Sequence, residues 1–178
     1  YGDPIIPSKS EKPYEKMEAW RSNYHGLQAR FKKTNFILYG SVDDIWLDTK
    51  NNYLILVDYK SQANEKEVSQ ETYWEGDFKT GYQTQLDFYF YLLKQQNFKE
   101  TISDDAYLLV VNARGLEDKF DNKLLFESTL IHTKVKDDYL ENEIQEMIDV
   151  FNSHNIPESN KLCKNCAYAR QRSIIDKL

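Results

Sequence analysis

The sequence predicts a mixed α/β or α+β protein, in which helices and strands share one hydrophobic core. Two hydrophobic periods alternate along the chain: apolar residues recur every three to four positions in three segments and form strand-like runs in four others. A short polar turn separates the first two runs, which predicts an antiparallel hairpin. At 178 residues, 40% of them hydrophobic, the chain is long enough for one domain, and we expect residues 1–178 to form it.

The first elements are an arm, a helix and the hairpin. Residues 1–13 carry three prolines and predict an irregular arm. A helix is predicted over residues 14–31, because apolar side chains recur there at helical steps, at Met17, Trp20, Tyr24, Leu27 and Phe31. Residues 35–47 and 53–61 predict the two strands of the hairpin, joined by the turn at 48–52.

The second half of the chain repeats both patterns. Residues 62–80 are polar and predict a loop or a short helix. A helix is predicted over residues 80–96, with one apolar face made of Tyr82, Leu86, Tyr89, Phe90 and Leu93. Residues 105–113 and 123–135 predict two further strands. Residues 138–151 predict a last helix, whose apolar residues we expect to be buried, namely Leu140, Ile144, Met147, Ile148 and Phe151.

Composition limits the classes of function. A net charge of −6 and a pI of about 5.2 argue against a protein that binds nucleic acid mainly through bulk positive charge, although not against an enzyme that acts on it. No apolar run reaches the length of a membrane span and no signal-peptide pattern is present, so we expect a soluble protein with no membrane partner. Two cysteines and no disulfide framework favour a reducing, cytoplasmic setting.

The strand at residues 53–61 ends in charged residues on an otherwise apolar face. Because side chains alternate along a strand, Asp58 and Lys60 point the same way as Leu54 and Leu56. Burying either charge costs several kcal/mol unless it is paired or holds a metal. The neighbouring strand carries the acids Asp43 and Asp44, and closure of the hairpin brings Asp43 near Asp58. Converging carboxylates are ligands for a hard divalent cation.

Such a site would cleave a phosphodiester. A bound cation would polarise a phosphate oxygen and lower the pKa of a bound water, while Lys60 would orient that water or stabilise developing charge. Asp-x-Lys also ends many strands as a surface ion pair, and this motif alone leaves that alternative open.

These residues resemble the PD-(D/E)XK nuclease superfamily, and most closely its RecB-type branch, which includes the AddAB and CRISPR spacer-acquisition nucleases. The stretch GSVDDIWLDTKNNYLILVDYKSQ matches the pattern Gly-x-x-Asp followed by Asp-Tyr-Lys-Ser, at Gly40, Asp43, Asp58, Tyr59, Lys60 and Ser61. The branch carries Gln-x-x-x-Tyr on the next helix, and YQTQLDFY supplies Gln85 and Tyr89, which share one helix face. Without the preceding motif, Gln85 would be taken as a surface residue and Tyr89 as a core residue.

The resemblance implies a restriction-endonuclease-like core, a mixed central β-sheet flanked by helices, with the metal site at the open end of the hairpin. It implies a metal-dependent deoxyribonuclease, with exonuclease activity the expectation and endonucleolytic cleavage left open, in DNA repair, recombination or defence. Asp43, Asp58 and the backbone carbonyl of Tyr59 would hold Mg²⁺ or Mn²⁺, Lys60 would be catalytic, and Gln85 and Tyr89 would orient Lys60 and the DNA. DNA would be the partner, with a helicase as a further candidate.

Two features depart from the family pattern. Members of the branch often bind an iron–sulfur cluster, mostly through cysteines in a C-terminal tail. The corresponding tail here, residues 154–178, carries Cys163 and Cys166, and the chain has no other cysteine. Two thiolates cannot hold such a cluster, so we expect none. A zinc site would need further ligands, for which His154 is the nearby candidate. The family's helix histidine has a weak counterpart in His25, for which an exposed helix residue is the simpler interpretation.

Other readings of the chain stay open. Lys32, Lys33, Lys79 and Arg114 are candidate phosphate contacts, although a solvated charge is the better explanation for each of them. A catalytically idle nuclease fold that serves as a DNA-binding or assembly module is the alternative function. The complete set of Asp43, Asp58 and Lys60 argues against it.

Overall fold

The computed structural model describes residues 13–75, 79–96, 98–114, 122 and 124–175, with only the backbone of residues 13–16. The predicted arm at 1–13 therefore lies almost wholly outside the described residues. The elements are α1 (Pro13–Arg21), β1 (Leu27–Arg30), β2 (Ile37–Gly40), β3 (Asp44–Asp48), β4 (Tyr53–Ala63), a 3₁₀ turn (Tyr73–Glu75), α2 (Lys79–Lys94), β5 (Thr101–Arg114), β6 (Leu125–Lys134), α3 (Leu140–Asn152) and α4 (Lys164–Ile175).

A four-stranded mixed sheet in the order β3-β4-β5-β6 forms the centre of the first unit, residues 1–140. The β3–β4 and β5–β6 pairs are antiparallel, whereas β4 and β5 are parallel because α2 makes the crossover between them. The β3–β4 turn is held by the Asp48 carboxylate, which accepts bonds from the backbone amides of Lys50 and Asn51. The predicted fold class, the hairpin and the mixed sheet are confirmed.

One face of this sheet is apolar and packs against α2. Leu54 and Leu56 of β4 lie on it with Leu108 of β5, and all three are 1% exposed or less. The facing residues of α2, Leu86 and Leu93, are fully buried. Burial of each such side chain stabilises the fold by roughly 1.5–3 kcal/mol. The same face continues along β4 to Asp58 and Lys60, so the core fixes the direction in which these charged residues point.

The predicted helix at 14–31 is wrong in its second half. The helix α1 ends at Arg21, and Leu27–Arg30 form β1. Gly26 lies between them with a φ of +56°, and a Cβ there would meet the Gly40 carbonyl oxygen at 2.6 Å. The left-handed backbone at Gly26 turns the chain away from a helix. Leu27 and Phe31, four positions apart, fit a helical face and are indeed buried, but β1 reaches that burial by pairing with β2.

The single strand predicted over 35–47 is two strands in two different sheets. The strand β2 pairs with β1 in a two-stranded sheet, while β3 joins the central sheet. Between them the chain is tied to the end of α1, because the Val42 amide donates to the Trp20 carbonyl and the Ser41 hydroxyl donates to the Ser22 carbonyl. These long-range bonds have no counterpart in local hydrophobic periodicity.

The second unit, residues 141–178, contains most of α3 and all of α4. On α3, Leu140, Ile144 and Ile148 are buried, but Met147 and Phe151 are 62% and 76% exposed, so the predicted burial of these two is wrong. The buried stripe follows four-residue steps, which leaves positions three residues away outside it. The α4 helix, with no buried residue, lies in the predicted tail. A single domain over 1–178 stays a prediction.

Candidate active site

Two charged residues of β4, Asp58 and Lys60, form a buried ion pair at the end of the apolar face. Lys60 Nζ lies 2.5 Å from Asp58 Oδ2, and the two side chains are 17% and 3% exposed. Asp58 Oδ2 is buried and has no hydrogen-bond partner among the described residues apart from this ion pair. A buried carboxylate oxygen with so few partners is unusual in a native fold and points to a missing ligand.

The environment of Asp58 opposes its ionisation. Burial raises the pKa of Asp58, the Lys60 ammonium partly offsets that rise, and the neighbouring Asp43 carboxylate adds to it. Desolvation is the largest of these effects because the carboxylate loses its water on folding. A cation held between Asp43 and Asp58 would remove the repulsion between them and favour the ionised form.

Asp43 reaches this site from the segment before β3. Its Oδ2 accepts a 2.7 Å hydrogen bond from the Tyr59 amide, and its own carbonyl accepts one of 2.7 Å from Arg21 Nε. The first bond holds the Asp43 carboxylate next to the Asp58–Tyr59 peptide. The structure thus brings together the two acids that the sequence motif predicts.

Asp44, although adjacent in sequence, has a different role. Its carboxylate is buried and accepts bonds from Arg21 Nη2 at 2.7 Å, from the Tyr59 hydroxyl at 2.6 Å and from the Ile45 amide at 3.0 Å. Burial and the Asp44 carboxylate together raise the pKa of Tyr59 to about 12. Both carboxylate oxygens of Asp44 accept hydrogen bonds inside the fold, so Asp44 fixes the hairpin to α1. Neither Arg21 nor the Tyr59 hydroxyl was identified from the sequence, which carries no local signal for these contacts.

Lys60 is held by a chain of side chains that leads to α2. Its Nζ donates to Gln85 Oε1 at 2.9 Å, and Gln85 Nε2 donates to the Tyr89 hydroxyl at 2.9 Å. Because Gln85 and Tyr89 lie one helical turn apart, one face of α2 supplies both groups. The Gln-x-x-x-Tyr motif therefore orients the lysine through a hydrogen bond.

Gly40 belongs to the same arrangement. A Cβ at this position would lie 2.7 Å from Tyr89 Cε1 and 3.1 Å from Leu92 Cδ1. Real Cβ atoms do not approach carbon this closely, so the Tyr89 ring packs directly on the Gly40 backbone. The glycine of the Gly-x-x-Asp motif thus makes room for the tyrosine of the helix motif.

The remaining candidate ligands are not brought to this site. His25 lies in an exposed turn after α1, and its Nδ1 is 3.3 Å from the Ser22 hydroxyl. Cys163 and Cys166 interact with each other at the start of α4, where the Cys166 amide donates to Cys163 Sγ. Within the ranges that the structure describes, no three His, Cys, Asp or Glu side chains gather as a metal-binding group.

The donor set at Asp43 and Asp58 fits a hard divalent cation. It offers carboxylate oxygens, which such a cation prefers as ligands. One of them, Asp58 Oδ2, is buried and has no hydrogen-bond partner among the described residues apart from its ion pair with Lys60. A neighbouring lysine with a fixed position stabilises an anion that forms beside it. The arrangement is therefore suited to hydrolysis of an anionic ester.

Comparison with known proteins agrees with this geometry. The model of the family described as the PD-(D/E)XK nuclease superfamily matches residues 8–171. No curated protein and no solved structure matches the chain. None of the helices in the described part of the chain is long and apolar enough to cross a membrane.

Proposed function

The chain belongs to the PD-(D/E)XK nuclease superfamily, whose members are typically nucleases that use divalent metals such as Mg²⁺, and from this premise we propose that it is a metal-dependent deoxyribonuclease. The observation that carries the proposal is the buried Asp58 carboxylate, which pairs with the Lys60 ammonium near the Asp43 carboxylate and has no other hydrogen bond to Oδ2 within the described residues. A cation site beside a fixed ammonium suits phosphodiester hydrolysis, and these three residues would supply both.

In this proposal the carboxylates of Asp43 and Asp58 and the backbone carbonyl of Tyr59 hold Mg²⁺ or Mn²⁺. The bound cation would supply Lewis-acid activation of the scissile phosphate and of the attacking water. We leave His25 out of the ligand set, because its imidazole contacts the Ser22 hydroxyl in an exposed turn. Its role as a ligand stays a prediction without support from the geometry.

Lys60 is the catalytic cation. Its ammonium lies beside Asp58, is 17% exposed and is oriented by Gln85, so its position is set before substrate arrives. Preorganised charge of this kind stabilises the negative charge that develops on the phosphate, and it needs no reorganisation during the reaction. Gln85 and Tyr89 are positioning residues, since they act through Lys60 and the backbone near Gly40.

The finer assignments also belong to this proposal. The motif order supports the RecB-type branch. With that branch we propose exonucleolytic cleavage, a role in DNA repair, recombination or defence, and a helicase partner. The two cysteines without a disulfide framework support a cytoplasmic setting. The absence of an iron–sulfur cluster rests on the count of two cysteines, which cannot supply four thiolates.

The test is cleavage of linear and closed circular DNA, single- and double-stranded, with Mg²⁺, with Mn²⁺ and with a chelator. We expect metal-dependent loss of linear DNA that the chelator abolishes, while circular DNA survives. Cleavage of circles at the same rate would replace the exonuclease assignment with an endonuclease. Tight DNA binding without cleavage in either metal would overturn the enzyme and support the idle binding module.

A further inference from the structure

A second group of residues lies on the other side of Lys60, and we call Tyr73, Lys79 and Tyr82 the tyrosine–lysine wall. Lys79 Nζ lies 3.6 Å from the centroid of the Tyr73 ring and 5.2 Å from that of Tyr82. Lys60 Nζ lies 4.5 Å from the same Tyr82 ring. One aromatic ring therefore contacts both ammonium groups, which makes the wall continuous with the candidate active site. Tyr73 and Lys79 lie outside the motifs that identify the site, whereas Tyr82 is the first residue of the stretch YQTQLDFY.

Tyr73 carries a hydroxyl that the fold does not use. Its side chain is buried, with 6% exposure, and its hydroxyl has no hydrogen-bond partner within the described ranges. Leaving a buried hydroxyl without a partner is unfavourable, and phenylalanine would fill the same space without that cost. Burial and the charges of Tyr82 and Asp58 raise the pKa of Tyr73 to about 12, so the hydroxyl keeps its proton and remains a donor at neutral pH.

Lys79 carries a positive charge that forms no ion pair with a carboxylate of the described residues. The ion pairs of the described residues include Lys60, Lys94 and Lys134 but not Lys79. Lys79 is also the first residue of α2, a helix of 16 residues whose first turn contains no acid. The positive end of a helix dipole adds to the charge at such a position. Burial and the nearby Lys60 ammonium lower the pKa of Lys79, the response of a cation that lacks an anionic partner.

We propose that the Lys79 ammonium binds a backbone phosphate of the DNA strand next to the scissile phosphate, and that the Tyr73 hydroxyl, closed to solvent in the free protein, becomes its second donor when the strand binds. This inference rests on the proposed nuclease function and names a subsite of the same site. Both groups are hydrogen-bond donors, so an acceptor with negative charge is the ligand that satisfies them together. The wall adjoins Lys60 through Tyr82, and the next anion along a bound strand is the neighbouring phosphate.

The test pairs two variants with a chemically altered substrate. Tyr73→Phe removes only the unpartnered hydroxyl, and Lys79→Gln removes only the charge. We expect each to slow cleavage of ordinary DNA about 10- to 100-fold, the loss of one charge-assisted hydrogen bond. A DNA with a neutral methylphosphonate next to the scissile bond should slow the parent by a similar factor, and should slow Lys79→Gln no further. Independent effects that multiply would overturn the proposal.

Lys94→Gln is the matched control. Lys94 also lies on α2 over an aromatic ring, with its Nζ 5.1 Å from the Phe90 centroid, but it is paired with Asp137 at 2.8 Å. Its loss should leave the rate on ordinary DNA unchanged and preserve the methylphosphonate effect. The Tyr73→Phe protein should melt no lower than the parent, because no hydrogen bond is lost. A lower melting temperature with an unchanged rate would make Tyr73 a packing residue and overturn its assignment.

Failure of this inference can be separated from failure of the nuclease assignment. If the parent cleaves DNA while Tyr73→Phe and Lys79→Gln stay within about threefold of it, only the subsite is wrong. If the parent does not cleave, the salt dependence of DNA affinity decides the question for the subsite. Lys79→Gln should then reduce the slope of log affinity against log salt by about one, and Lys94→Gln should not. Equal slopes in the two variants would overturn the phosphate contact.

Discussion

The central sheet carries two clusters of aspartate and lysine, which form ion pairs of similar length but differ in how deeply the side chains are buried. On β4, Asp58 and Lys60 lie 2.5 Å apart with side chains 3% and 17% exposed. On β5 and β6, Asp105 and Lys134 lie 2.9 Å apart with side chains 38% and 58% exposed, and His132 joins them at 2.6 Å from Asp105. The distances are similar, so an ion pair by itself does not mark a functional site. Burial is what separates the two clusters.

The two aspartates respond to their surroundings in opposite directions. At Asp58, loss of solvent is the largest effect and raises the pKa, despite the ammonium beside it. At Asp105, hydrogen bonds from Lys134 and then from His132 lower the pKa. The opposing effect of burial is smaller, because water still reaches the carboxylate. A fold gains from the outer arrangement and is disfavoured by the inner one. A buried carboxyl group whose surroundings disfavour its ionised form is therefore the better indicator of a functional site.

The largest predicted difference concerns the two lysines. Lys60→Ala should reduce the turnover of DNA about 100- to 1,000-fold, because it removes a preorganised charge from the reacting phosphate. Lys134→Ala, the matched change in the outer cluster, should alter turnover less than about threefold, since exposed pairs contribute little. Single-turnover cleavage at mildly alkaline pH measures both. Equal effects would mean that burial does not distinguish the clusters.

The second difference concerns the two aspartates and metal. Parent protein at about 100 times the metal dissociation constant should gain about 2.7 kcal/mol of unfolding free energy from Mn²⁺. Asp58→Asn should lose most of that gain, because the buried ligand is gone, whereas Asp105→Asn should keep it. Denaturant unfolding with and without Mn²⁺, together with calorimetric titration, measures the gain. Unchanged Mn²⁺ stabilisation in Asp58→Asn would remove this residue from the metal site.

The third difference separates crowded from open positions around α2. Gly40→Ala places a methyl group 2.7 Å from Tyr89 Cε1, and overpacking of this kind costs about 1–3 kcal/mol. The displaced Tyr89 should also move Gln85 and slow cleavage. Gly81→Ala is the control: no atom lies within 4 Å of its added Cβ, and alanine in a helix should stabilise the protein by about 0.5–1 kcal/mol. Both free energies follow from denaturant unfolding. A neutral Gly40→Ala would show that the Tyr89 ring yields freely.

The smallest effect is the opposite pH dependence of the two clusters. The lowered pKa of Asp105 adds stability that is present above the ordinary carboxyl pKa and is lost as pH falls through its folded value. The raised pKa of Asp58 does the reverse: its ionisation disfavours the fold progressively as pH rises above the ordinary carboxyl value. Unfolding free energies from about pH 2 to 6, without metal, should therefore diverge from the parent in opposite senses for Asp105→Asn and Asp58→Asn. Exposure of Asp105 keeps its effect small.

Much of the site was predictable because its geometry is local. Two-residue alternation places Asp58 and Lys60 on one face of β4, and four-residue spacing places Gln85 and Tyr89 on one face of α2. The strands β4, β5 and β6 were predicted as strands, and α2 and α3 as helices, because each has a hydrophobic period that does not depend on distant residues. Their order also predicted the mixed α/β or α+β class, and the family resemblance implied the mixed sheet. These features were determined by the sequence itself.

Contacts between segments far apart in the chain decided the rest. Asp43 and Asp44 are neighbours in the sequence, but Arg21 binds the side chain of Asp44 and only the backbone carbonyl of Asp43. Asp44 is therefore a structural acid, and the Asp43 carboxylate remains available to the site. Gly26 turns the chain from α1 into β1, and the bonds from residues 41 and 42 to the end of α1 divide one predicted strand into β2 and β3. The Tyr73 hydroxyl is notable only because folding buries it without a partner. Burial and hydrogen-bond satisfaction are properties of the packed chain, so local periodicity has no means to encode them.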